Sequence, residues 1–356
     1  MDDVKDIEHI HKLSGILASV CAVSVNPLMQ KLLSLRAFLL GASLTEHSYP
    51  TRKLRKYCNG LISGGKIDAV FVFSAAPMKL IDHSSGIKIV ADLVDVDSEK
   101  WRAYSKSAIW PLSKIFAREA RKLAAFETEV VTRSERTLLV SEEEAELLRE
   151  VNPGLVDKIV AIPNGVDTIF FDPKKYDFDK KINTLIFTGA LDYQPNIEAA
   201  IWFCEAIWPL VRAQHSNAIF YIAGSSPAPE ILALEALDGV EILRDVPDMA
   251  EVIAKSHIVV APLLTARGIQ NKVLEALAMA KPTVATSVAN VGINGKPGEH
   301  LMLADTASEF AATVNLLLAN PAVCTDLGNA ARPFVVSNFS WEKSFEQLNN
   351  IISRLC

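Results

Sequence analysis

The chain is predicted to be an α/β protein of two Rossmann-like domains facing a cleft, and three observations predict it. Short runs rich in β-branched residues alternate with helical stretches along both halves, the pattern of parallel sheets covered on both faces. The length of 356 residues suits two domains. Between the halves, residues 162–173 (IPNGVDTIFFDP) are dense in turn formers and carry no periodic run, which marks a linker.

Half of the residues are hydrophobic and 22% are charged, so a full core is available and disorder is excluded as a general state. A net charge of -6 argues against bulk nucleic-acid binding. Five scattered cysteines, with no CxxC pair and no Cys/His metal spacing, fit reduced thiols in a cytoplasm. The acidic start, Met1-Asp2-Asp3, lacks the positive region of a signal peptide. Residues 13–30 are uncharged, but Ser14, Gly15, Ser19, Ser24, Asn26 and Pro27 make them too polar for a spanning helix of about 20 apolar residues. A soluble, cytoplasmic protein is expected.

The elements follow in order. A helix end leads into a strand around residues 19–25. Residues 28–44 are apolar on a wide face, with Lys31 and Arg36 on the other and Arg52, Lys53, Arg55 and Lys56 close behind. This stretch reads either as a packed helix of the first domain or as a basic amphipathic segment resting peripherally on the inner face of an anionic membrane. Residues 69–73 and 87–93 read as short buried strands. Residues 111–126 have apolar positions at helical spacing, with basic residues opposite. Val130 and Val131 suggest a further strand, and Ser141 with Glu144 reads as a capping box opening the next helix. In the second half, strands are expected at 184–188, 218–223, 240–243, 258–261 and 282–286, with helices between them, including 197–214 and 229–236. The expected domains are 1–162 and 163–334. Residues 335–356, after Pro333, form a C-terminal helix crossing back to the first domain with Trp341 as an anchor.

Ligands of such sheets sit at the carboxyl ends of the strands. Residues 188–196 (TGALDYQPN) follow a buried strand and precede a helix. Gly189 permits close backbone approach and Asn196 can cap the helix, although a plain βα turn explains the segment equally well. Residues 267–286 (RGIQNKVLEALAMAKPTVAT) run from polar loop through amphipathic helix and Lys-Pro turn to strand. Arg267, Lys272 and Glu275 gather around the helix start, behind the strand end at Pro262 and the Gly268-Ile269 turn. Lys272 and Glu275 share a helix face. As a surface ion pair they would contribute only a few tenths of a kcal/mol. Helix starts attract anions, because their first N–H groups are unpaired and the helix dipole is positive there. Two cations and a carboxylate at such a place suit a ligand with both a phosphate and a sugar hydroxyl, which describes a nucleotide-sugar.

These segments together carry a resemblance over almost the whole chain. The linker IPNGVD, the turn FTGALDYQPN, the stretch VPDM (residues 246–249) and RGIQNKVLEALAMAKPTVAT resemble the retaining GT-B glycosyltransferases of the "group 1" type, and DLVDVDSEKW (92–101) and VSEEEAELL support the likeness. Within that family the chain most resembles sugar transferases of bacterial exopolysaccharide clusters linked to exosortase/PEP-CTERM systems.

The resemblance implies a GT-B fold and transfer of a sugar, with retention, from a nucleoside-diphosphate-sugar to a glycan or polyprenol-linked acceptor, without a metal or other cofactor. Glu275 matches the family glutamate that binds the donor ribose. The partner glutamate falls on Arg267, which cannot accept from sugar hydroxyls but can grip a diphosphate bidentately, with Lys272 sharing that task. Gly189, Ala190, Val246, Pro262, Gly268, Ile269 and Asn271 complete the implied donor site. Asp95 and Asp97 match the position where relatives contact the donor sugar near its reacting carbon, while an N-cap or Asx turn is the structural alternative, with Ser98 as another candidate cap. The first βα unit of the family is not found in the sequence, so a shortened N-terminal domain is expected. Two other functions stay open: a non-catalytic GT-B donor-binding or assembly partner, and a nucleotide-sugar epimerase of the same architecture. A nicotinamide dehydrogenase is disfavoured because no GxGxxG opens either half.

Overall fold

The structure, a computed structural model, describes residues 10, 13–23, 41–44, 52–176, 183–266 and 268–355. The chain divides into two compact units, Met1–Ile162 with Asn349–Cys356, and Pro163–Leu348.

In the first unit, helix α1 (Arg52–Ser63) leads to a four-stranded parallel sheet: β1 (Ala69–Phe73), β2 (Lys88–Val94), β3 (Arg136–Leu139) and β4 (Ile159–Ala161), in that spatial order. Helices α2 (Asp97–Ser107) and α3 (Leu112–Arg133) form a helical hairpin between β2 and β3, and α4 (Glu142–Val151) joins β3 to β4. The core is built from Val72, Ile89, Leu123, Val130, Leu139 and Leu148, among others. The sequence reading is corrected at Val130 and Val131, which belong to α3 and not to a strand. Both are fully buried on the face that also carries Leu123 and Phe126, so packing overrides the β preference of a branched pair. Residues 19–23 form no strand; the Ser19 hydroxyl pairs instead with the Tyr57 hydroxyl at 2.7 Å. Ser24 and Val25, and residues 28–40 of the amphipathic stretch, lie outside the described residues.

Ser141 caps α4 by accepting from the Glu144 N–H at 3.2 Å. The reciprocal half of the expected box is absent, because the Glu144 carboxylate accepts from the Val96 N–H at 2.8 Å. One end of α4 thereby fixes the turn that follows β2.

The second unit holds a six-stranded, all-parallel sheet. Its strands are β5 (Thr184–Thr188), β6 (Ile219–Gly224), β7 (Val240–Arg244), β8 (Ile258–Ala261), β9 (Thr283–Ala285) and β10 (Met302–Leu303). Their spatial order is β10-β9-β8-β5-β6-β7. This is the doubly wound order, and its direction reverses between β5 and β8, where such sheets open a crevice for ligands. β5 and β8 are buried throughout, as a sheet covered on both faces requires. Helix α5 (Gln194–Trp202) runs through a π turn at Phe203–Ile207 into α6 (Trp208–Gln214). Next come α7 (Pro229–Ala233), α8 (Met249–Lys255), α9 (Asn271–Ala278), α10 (Ala307–Ala319), α11 (Pro321–Phe339) and α12 (Trp341–Ser353).

Pro333 does not end α11, which continues to Phe339. The proline removes one ladder bond, but Val335 and Phe339 are buried beyond it and hold the helix on course. The break falls at Ser340, where Val166 of the linker bridges to the chain and donates to the Phe339 carbonyl at 2.7 Å. A side chain at Gly165 would lie 2.7 Å from the Trp341 backbone, so the linker passes directly against the start of α12. Arg332 donates to the Phe171 and Thr168 carbonyls at 2.7 and 3.1 Å, tying the linker to α11.

Candidate functional site

A cavity of about 520 Å³ opens at the carboxyl ends of β5, β6 and β7 in the second unit. Its floor is backbone. Gly189 leaves β5 and Gly224 ends β6, and a Cβ on Gly224 would lie 1.7 Å from the Gly189 carbonyl oxygen. Only glycine permits that approach. A Cβ on Gly189 would in turn meet Asn196 Nδ2 at 2.8 Å and Lys272 Nζ at 3.0 Å. Tyr193 and Asn196 of α5 form one wall, Asp245, Val246 and Met249 another, and Ile269, Gln270, Asn271, Lys272 and Glu275 close it from the start of α9.

Lys272 is half-buried as a residue, but its ammonium is drawn inward. It sits over the Phe187 ring, 4.3 Å from the centroid, and donates to Asn196 Oδ1. Burial pushes this ammonium down to about 7, against the opposing pull of Glu275. Burial also raises the Glu275 carboxyl, with Lys272 opposing. Two ionisable groups partly stripped of water at the mouth of a helix are what an anion with hydroxyls would resolvate.

Asn196 is not the cap of α5. Tyr193 holds that position without a side-chain bond, and Asn196 lies inside the first turn, where its Nδ2 donates to the Ala190 carbonyl at 2.8 Å. It therefore braces the β5 turn with one end of its amide and receives Lys272 with the other.

Seven residues singled out from the sequence thus surround one cavity: Gly189, Ala190, Val246, Ile269, Asn271, Lys272 and Glu275. Pro262 is buried behind it, at the end of β8. Gly268 adopts φ +59°, a left-handed turn into α9, without lining the cavity. Arg267 lies outside the described residues. Sequence reasoning missed Gly224, Asp245 and Met249 as site residues. Gly224 carried a signal, being a glycine at a strand end. Met249 closes the VPDM stretch whose Val246 was read as a site residue, whereas Asp245 carried no signal of its own.

Asp95 stands in the first unit, in the turn after β2. Val94 takes φ +69°, an outlier for a branched residue, and donates to Asp92 Oδ1 at 3.0 Å. Val96 occupies the N-cap position of α2, without a side-chain bond. The alternative in which Asp95, Asp97 or Ser98 caps α2 is therefore not what forms. The capping acceptor is the buried Glu127 of α3, which takes the Ser98 N–H at 2.9 Å and the Ser98 hydroxyl at 2.6 Å. Burial drives the Glu127 carboxyl up to about 7 and also raises Asp92 and Asp97. Among the described residues, no group of three or more His, Cys, Asp or Glu side chains is placed to hold a metal ion. Nor is any single helix among them long and apolar enough to cross a membrane.

Parallel sheets in two Rossmann-like units, one of them doubly wound with a cavity at its switch point, define the class: the chain has the GT-B fold. Residues 182–320, in the second unit, match the family described as "Glycosyl transferases group 1". Mycobacterium tuberculosis glycogen synthase is 27% identical over 236 residues, covering 63% of this chain and 55% of that protein. The chain spans about half the length of the curated relatives it matches. A glycosyltransferase of Rickettsia africae has the same fold at a TM-score of 0.63 and 17% identity, over 98% of this chain and 87% of that one. Anabaena HepE, solved in complex with UDP, aligns at a TM-score of 0.61 and 13% identity, over 83% of this chain and 81% of its own. At these identities the two structures speak to fold alone.

Proposed function

We propose that the protein transfers a sugar, with retention, from a nucleoside-diphosphate-sugar to a glycan or polyprenol-linked acceptor. One observation carries the reading: Lys272 meets the glycine turn of β5 at the start of α9, inside a cavity of a size suited to a small-molecule ligand. Lys272 holds the diphosphate, with Arg267 as a second cation, and Glu275 accepts from the ribose hydroxyls. Val246, Met249 and Ile269 give the base an apolar wall. The solved complex of HepE with UDP supports a nucleotide donor.

The chemistry is a same-face displacement. The bond from the anomeric carbon to the diphosphate oxygen breaks as the acceptor oxygen bonds that carbon, and the departing diphosphate takes the acceptor proton. The main contribution of the chain is charge stabilisation of the leaving group, so no dedicated base is required. A role for Asp95 at the donor sugar rests on the resemblance of DLVDVDSEKW to the relatives' motif. Work in cell-surface polysaccharide assembly, on the cytoplasmic side of a membrane, rests on the likeness of the motifs to exopolysaccharide transferases.

The test is a thermal-shift panel of UDP-, GDP- and ADP-sugars, followed by nucleotide release in the presence of glycan acceptors. At about 100 times Kd a bound donor adds about 2.7 kcal/mol of stability. If no member of the panel moves the midpoint, the reading fails. If one moves it but no acceptor promotes turnover, the protein is a donor-binding partner instead.

A further inference from the structure

The hairpin of α2 and α3 ends in an apolar tip that the donor site does not use. Ile109, Trp110 and Leu112 are 81%, 78% and 48% exposed, and they stand almost side by side in sequence. A Trp and two aliphatic side chains held in water at one point is an uncommon arrangement for a surface.

The stem beneath the tip is firm. Trp101 of α2 packs on Phe116 of α3 with ring centroids 5.3 Å apart, and Tyr104 stands edge-on to Trp101 at 6.0 Å. Bonds at the two ends of the tip tie it to the stem: Ala108 donates to the Tyr104 carbonyl at 3.0 Å, Ser113 to Ile109 at 3.1 Å and Lys114 to Pro111 at 3.1 Å.

The collar around the tip is of one sign. Residues 100–118 carry five cations (Lys100, Arg102, Lys106, Lys114 and Arg118) and no carboxylate, in a chain whose net charge is -6. Arg102 is engaged by Glu99, while Lys106 and Lys114, on either side of the tip, are exposed. Exposed apolar side chains flanked by Lys106 and Lys114 match a layered partner: hydrocarbon beneath a negatively charged surface.

We infer that the α2–α3 tip inserts into the surface of an anionic lipid bilayer, with Ile109, Trp110 and Leu112 below the headgroups and Lys106 and Lys114 among them. The site is separate from the donor cavity and does not depend on the proposed transfer reaction.

The experiment is co-sedimentation of the full chain with vesicles of phosphatidylcholine alone and of phosphatidylcholine mixed with phosphatidylglycerol. The wild type is expected to pellet with the mixed vesicles and to lose tryptophan fluorescence to brominated lipid. Ile109→Ser with Trp110→Ser is expected to lower the partition at least about ten-fold. Lys106→Glu with Lys114→Glu removes the preference for phosphatidylglycerol. All four positions are exposed, so the thermal midpoint and any donor response stay at wild-type values. Failure of the wild type to pellet with mixed vesicles, or pelleting of the tip variant as well as the wild type, overturns the inference. So does a wild-type dimer, without lipid binding, that the tip variant converts to monomer, for the tip would then seat a second copy of the chain.

Discussion

In the proposed reaction Lys272 holds the diphosphate, and its burial sets its pH behaviour. Its ammonium is pushed down to about 7 by burial. A diphosphate beside it favours the charged form, so donor binding takes up a proton whenever the pH lies above that value. The stabilisation given by a donor is therefore expected to be larger at about pH 6 than at about pH 9, as read by thermal shift at matched ionic strength. Lys272→Ala should cut the donor response at least about ten-fold in apparent Kd and flatten its pH dependence, because hydrogen bonds to charged groups contribute about 1.5–3 kcal/mol. An undiminished response in that variant would remove the assigned role. Gly224 sets a different limit. Its Cβ would overlap the Gly189 carbonyl, and backbone cannot move aside as a side-chain end can. Gly224→Ala should cost about 4 kcal/mol or more and show as lost soluble yield, whereas Gly154→Ala, with open space around it, should behave like an ordinary surface change of about 0.5 kcal/mol or less.

At the scale of elements, two buried carboxylates do for α2 what its own N-cap residue does not. Glu144 and Glu127 come from α4 and α3, and they bind the Val96 and Ser98 N–H groups. Glu127→Ala should leave the Ser98 N–H and hydroxyl without their acceptor, at about 1–3 kcal/mol, measured by chemical unfolding. Ser141→Ala removes the cap of α4 and should cost about 1 kcal/mol. The sequence made β1, β2 and β5 to β9 legible to within a residue or two, because short β-branched runs between turn formers leave little choice, while the short β3, β4 and β10 went unread. It misplaced Val130 and Val131, where a branched pair continues a helix whose buried face is set by α3 as a whole. It also read Ser141 with Glu144 as a closed box, when the glutamate serves a turn 48 residues away. Local rules identify the donor of a cap, but they do not identify a distant acceptor.

At the scale of the molecule, the two units carry buried groups that respond to pH in opposite senses. Glu127 rises from an ordinary 4.5 to about 7 in the folded first unit. The stability tied to its proton is complete below the ordinary value and is lost as the pH climbs through about 7. Lys272 falls from 10.5 to about 7 in the folded second unit. There the penalty of burying the charge is present below about 7 and is relieved as the pH rises toward 10.5. Glu275, raised by burial, acts in the opposite sense. Scanning calorimetry from about pH 5 to about pH 9 should show the transition of the first unit weakening first and that of the second strengthening later. Transitions that move together would show that other groups dominate. The overall architecture was legible because alternation of strand and helix is a period-level signal. The composition of the cavity was legible in part. Gly189, Ala190, Val246, Ile269, Asn271, Lys272 and Glu275 fall in three segments the sequence singled out, while Gly224 joins them only through strand order.

The glycine-to-carbonyl approach at the ends of β5 and β6 has one more consequence. A basin whose bottom is main chain offers mutation nothing to alter there. Selectivity among nucleotides and sugars can then drift only through the rim, at Tyr193, Val246, Met249 and Ile269. Homologous chains with different donor preferences should differ at those four positions while keeping both glycines.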